Sequence, residues 1–128
     1  MSRILVCDDE QTMRAFVARA LEMDGHFVTQ AEDGAHALEI MAASEPGFDL
    51  LLTDIRMPVM DGIALALNAA RDHPRTAILL MTGFADQRER ASDLDAIIHD
   101  VVTKPFSLAD IRQKAGEAIA AGRPVVAA

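Results

Sequence analysis

Four short apolar runs in this chain end at residues able to do chemistry. Residues 3 to 7, Arg-Ile-Leu-Val-Cys, lead into Asp8-Asp9-Glu10, and Leu50-Leu51-Leu52 lead through Thr53 into Asp54. Residues 76 to 81 lead into Thr82-Gly83, and residues 97 to 103 into Lys104-Pro105. Taken singly, each polar residue has an ordinary explanation: a capping or turn aspartate, a threonine at a strand end, a solvated lysine before a turn. Together they describe one site. Three carboxylates gathered away from water repel, and one of them would hold its proton. A divalent cation relieves that repulsion, and a small set of hard oxygen ligands suits Mg²⁺ that keeps several waters. A carboxylate beside such an ion is a nucleophile toward phosphorus, and the product is an acyl phosphate. The transferring group spreads its charge over three oxygens. Lys104 would neutralise one of them and Mg²⁺ another, and the Thr82 hydroxyl would donate a hydrogen bond to the third.

The elements that must bring these residues together follow from periodicity. Apolar runs bounded by turn residues read as strands over 3–7, 27–31, 50–54, 76–81 and 97–103. Between them the spacing becomes helical. Met13, Phe16, Val17, Ala20 and Leu21 mark the first helix, and Ala35, Leu38, Met41 and Ala42 the second. Ile63, Ala66, Leu67 and Ala70 mark a third, stopped before Pro74. The charged stretch 85–95 reads as a solvated helix, and Leu108, Ile111, Ala115, Ala118 and Ile119 mark the last. Asp24-Gly25, Asp33-Gly34 and Asp61-Gly62 are turn signals, and Pro58 keeps the segment after Asp54 from continuing as helix. Five strand–helix pairs predict an α/β fold: a five-stranded parallel sheet, doubly wound, with right-handed crossovers. In such a sheet ligands bind at the carboxyl ends of the strands, where all the polar residues above fall.

Composition narrows the function classes. With 128 residues the chain fits one domain, and its core must be aliphatic, since aromatics make up 4% and Trp and Tyr are missing. The 12 basic and 20 acidic side chains leave a net charge of −8, which argues against nucleic acid or an anionic membrane as partner. The single cysteine, Cys7, lies in an apolar run, which predicts a buried thiol in a reducing, cytoplasmic setting. No signal peptide and no run long enough to span a membrane is expected.

The combination of Asp8-Asp9, Asp54 with Met57-Pro58 and Asp61-Gly62, Thr82-Gly83 and Lys104-Pro105-Phe106 resembles the receiver domain of bacterial two-component response regulators, of the flavodoxin-like, CheY-like (βα)5 type. The resemblance covers nearly the whole chain. It implies a receiver domain at 1–121, a tail at 122–128 and no output domain. It implies that Asp54 accepts phosphate from a histidine kinase or histidine phosphotransferase. By the same resemblance Asp9 and Asp54 ligate Mg²⁺ with the backbone carbonyl of Arg56, Asp8 holds the ion mainly through water, and Thr82 and Lys104 bind the phosphoryl group. The Lys104–Pro105 peptide is expected to be cis. A downstream protein partner is expected on the face built from residues 85–121. Receivers often carry an aromatic switch residue three positions before the lysine. Here that position is Val101, and Phe84 is a candidate substitute.

Two other classes share parts of the pattern. An aspartate-nucleophile phosphatase would want a general acid two residues after the nucleophile, where this chain has Arg56. A flavin-binding module would want a hydroxyl-rich phosphate loop after the first strand, where Asp8-Asp9-Glu10 would repel a phosphate. A narrower resemblance, carried by Thr82-Gly83-Phe84-Ala85 and the terminal Ala127-Ala128, is to the CpdR group of single-domain regulators, which control proteolysis by ClpXP. A chemotaxis-type or phosphorelay-intermediate regulator is the alternative.

Overall fold

The computed structural model describes residues 1–83, 91 and 93–122. Phe84, most of the charged stretch 85–95 and residues 123–128 of the expected tail lie outside the described residues. Five strands, β1 (Arg3–Cys7), β2 (Phe27–Ala31), β3 (Leu50–Asp54), β4 (Ala77–Thr82) and β5 (Asp100–Thr103), form one parallel sheet in the order β2-β1-β3-β4-β5. Helices α1 (Gln11–Glu22), α2 (Gly34–Ala43), α3 (Gly62–Asp72) and α4 (Leu108–Ala121) complete the described elements. The expected doubly wound α/β fold is present.

Strand alternation divides the core. One face of the sheet presents Leu5, Cys7, Leu51, Ile78 and Leu80 to α2 and α3, which offer Ala37, Met41, Leu65, Ala66 and Ala69. The other presents Ile4, Val6, Leu52, Leu79 and Met81 to α1 and α4, which offer Val17, Leu21, Ile111 and Ala115. Alanines on the inner helix faces let the backbones approach the sheet closely, so an aliphatic core fills the space without large rings. The three inner strands are buried on both faces. Edge strand β2 is exposed at Phe27, Thr29 and Gln30.

The helix phases needed correction. Leu67 is 51% exposed, because α3 turns Leu65, Ala66 and Ala69 inward. Helix α2 buries Ala37 rather than Ala42. β5 begins at Asp100, after turns at residues 93–97. Ala91 and Leu94, two of the described residues where a solvated helix was expected, are buried in the core.

Candidate phosphoryl and metal site

Parallel register sets the site. Cys7 stands opposite Thr53, Asp54 opposite Met81, and Thr82 opposite Thr103. The residues just past these positions therefore gather on one edge. Asp8 is fully buried, Asp54 and Thr82 are buried, Lys104 is half-buried and Asp9 is exposed. Carboxylate oxygens of Asp8, Asp9 and Asp54 lie within 4.8 Å of one another. Lys104 Nζ lies 3.2 Å from Asp8 Oδ2 and 3.4 Å from Asp54 Oδ1, so one ammonium bridges two of the three. The Lys104–Pro105 peptide is cis, and Lys104 donates its backbone N–H to the Thr82 carbonyl at 2.7 Å.

Asp8 is held at each end. Its N–H donates to the Ala31 carbonyl, and its Oδ1 accepts from the Glu10 N–H at 2.9 Å. Arg14 Nη1 donates to its carbonyl oxygen at 2.8 Å. Asp54 is less fully compensated. Burial pushes its pKa up to about 6; Lys104 pulls it down, and Asp8 pushes it further up.

The loop from Ile55 to Asp61 carries Asp54 back into α3, and three contacts fix it. Ile55 is fully buried, and Met57 drops into the core, where Cys7 Sγ lies 3.5 Å from its Sδ. Asp61 is the N-cap of α3, its side chain accepting from the Ala64 N–H at 2.9 Å. The expected turn at Asp61-Gly62 is thus a helix start, as is Asp33-Gly34, where Asp33 caps α2. Gly62 packs on the strand backbone, and a β-carbon there would overlap the Asp54 carbonyl oxygen. Only glycine allows so close an approach. Burial pushes the Cys7 thiol up to about 12, so it is an inert core group, as its apolar setting predicted.

A divalent cation suits this donor set. The oxygens are hard, and they come from three carboxylates within reach of one small ion, with one lysine ammonium bridging two of them. Arg56 is exposed on the adjacent loop. The site residues named from the sequence, Asp8, Asp9, Asp54, Thr82 and Lys104, all lie at this edge. Arg14, which contacts the Asp8 backbone, is not distinguished in the sequence from other basic residues on the helices. The tight seat of Gly62 is likewise not legible there, although the Asp-Gly signal is. The four histidines are half-buried, and two of them accept backbone N–H groups: His26 from Ser2 and His36 from Glu32.

Known proteins resemble this chain over most of its length. The sequence model for the response regulator receiver domain matches residues 4–116. The response regulator receiver protein CpdR of Brucella abortus is 42% identical over 111 residues, covering 87% of this chain and 91% of that protein. The response regulator MprA of Mycobacterium ulcerans is 36% identical over 109 residues, which are 85% of this chain but 46% of the longer relative. The response regulator TrrA of Thermotoga maritima, solved in complex with Mg²⁺-BeF, superposes with a TM-score of 0.82 at 28% identity, over 92% of this chain and 99% of that one.

Proposed function

This chain belongs to the response regulator receiver domain family, signalling switches of two-component systems, and from that premise we propose that Asp54 is its phospho-acceptor. The observation that supports this is the meeting of Asp54 with Asp8, Asp9 and Lys104 at one strand edge. An Asp54 carboxylate oxygen attacks the phosphorus of a phosphohistidine on a histidine kinase or histidine phosphotransferase. The O–P bond forms, the P–N bond breaks, and the nitrogen of the leaving imidazole takes a proton from water. Asp9, Asp54 and the Arg56 carbonyl would hold Mg²⁺, with Asp8 mainly bonded through water. The bound ion supplies positive charge to the phosphoryl oxygens. Lys104 turns from the carboxylates to one phosphoryl oxygen, and the Thr82 hydroxyl donates to another.

The receiver unit is read as residues 1–121 with a tail at 122–128, acting in the cytoplasm. No helix among the described residues is long and apolar enough to cross a membrane. Phosphorylation would change the face of residues 85–121. There Asp100, Phe106 and Lys114 border a cleft of about 250 Å³ between β5 and α4. Similarity to CpdR over most of both chains favours an output on ClpXP-dependent proteolysis over a chemotaxis-type or phosphorelay role.

Amide NMR with Mg²⁺ and beryllofluoride tests the switch. The expected result is shifts at Asp54 that extend through residues 82–106, all lost in Asp54→Asn. Shifts confined to residues next to the carboxylates would contradict a switch routed through Thr82.

A further inference from the structure

Arg14 lies on α1, outside the set of phosphoryl and metal groups, yet it reaches into their framework. Its Nη1 donates to the Asp8 carbonyl oxygen at 2.8 Å, and its Nε donates to Gln30 Oε1 at 3.1 Å. The Asp8 carbonyl belongs to the peptide that joins Asp8 to Asp9. A planar guanidinium fixed at two points therefore sets the plane of that peptide and, through it, the direction in which Asp9 leaves the backbone. Asp9 needs such help more than its neighbours. Asp8 is buried and bonded at both carboxylate oxygens, to Glu10 N–H and to Lys104. Asp54 is buried at the end of an inner strand. Asp9 is exposed on the turn between β1 and α1. We infer that Arg14, anchored by Gln30 on edge strand β2, is a positioning residue that holds the Asp8–Asp9 peptide so that both carboxylates face one cation.

The inference rests on the reading of Asp8, Asp9 and Asp54 as the Mg²⁺ site. Its sign separates it from simple electrostatics. A guanidinium near a dication repels it, so by charge alone Arg14→Ala would tighten Mg²⁺ binding. Positioning predicts the reverse, a loss of roughly 10-fold, the low end of what is typical when a group that orients a metal ligand is removed. Gln30→Ala changes no charge and frees one end of the guanidinium, so it should weaken binding in the same direction by less. Arg14→Lys keeps the charge but loses the planar fork, and should fall between Arg14→Ala and wild type.

Calorimetric titration of Mg²⁺ into the wild-type chain and these three variants, with each variant's melting temperature in EDTA as a control on folding, makes the test. Weaker Mg²⁺ binding by Arg14→Ala and Gln30→Ala at unchanged metal-free melting temperatures supports the inference. Wild-type or tighter binding by both overturns it and leaves the metal site itself standing. If Arg14→Ala fails to fold, Gln30→Ala decides in the same way. A wild-type chain that binds no Mg²⁺ removes the underlying metal reading, and this inference with it.

Discussion

Burial sets the chemistry of Asp54 before any ligand arrives. Its pKa is pushed up to about 6, so the folded chain binds this proton more tightly than the unfolded chain, whose aspartates titrate near the ordinary value of about 4. Below the ordinary value both states are protonated and burial adds no penalty. As pH rises through about 4 to 6, the unfolded state ionises first and stability falls. Above that window the ionised, buried carboxylate destabilises the metal-free fold by on the order of 2–3 kcal/mol. Asp54→Asn should therefore melt higher than wild type near pH 7 in EDTA, and this advantage should shrink toward about pH 4. Thermal melts across that range check it; an advantage of equal size at both ends would place the strain elsewhere. The candidate site residues were legible in the sequence because each lies at the end of an apolar run. Arg14 was not, because nothing in the pattern of α1 shows that its guanidinium lies on a backbone carbonyl.

The loop between β3 and α3 holds strain of its own. Val59 has φ 69°, and the Met60 N–H donates to the Pro58 carbonyl at 2.7 Å, so Val59 is the central residue of a γ-turn of the rare, strained kind. A β-branched residue is a poor choice there, and its side chain, 85% exposed, gains little burial in return. The turn is braced on both sides. Met57 is buried, and Met60 abuts Gly34, where an added β-carbon would come within 2.6 Å of the Met60 carbonyl oxygen. Val59→Gly should relieve roughly 1–2 kcal/mol of left-handed strain, less the entropy of a freer unfolded chain, for a net gain of about 0.5–1 kcal/mol. A rise in the urea midpoint at unchanged slope would confirm this, and a fall would show that Val59 makes contacts worth more than the strain. The same region shows why helix phase was hard to read. Gly62-Ile63-Ala64-Leu65-Ala66-Leu67 is apolar at every position, so periodicity could not choose the inward face. Asp61, capping the Ala64 N–H, and Gly62, seated against the Asp54 carbonyl, make that choice, and the second depends on a contact outside the run.

Across the whole molecule, the topology was the most legible feature. Five apolar runs alternating with helical periods leave few arrangements once parallel pairing and right-handed crossovers are required, and the observed order β2-β1-β3-β4-β5 is among them. That order puts β1 and β3 side by side at the middle of the sheet, so Asp8 and Asp54 become neighbours although 46 positions separate them in the sequence. A chain with a net charge of −8 then concentrates three carboxylates at one edge and meets them with a single described lysine bridge, an arrangement suited to taking up further positive charge. The central claim is that this edge makes Asp54 a phosphoryl acceptor. Incubation of the wild-type chain with a small acyl-phosphate donor and Mg²⁺, followed by intact-mass and peptide mass spectrometry, tests it most directly. The account predicts one added phosphoryl group per chain, lost on treatment with hydroxylamine, mapped to Asp54 and missing from Asp54→Asn. A stable adduct on any other residue, or equal labelling of Asp54→Asn, would contradict it.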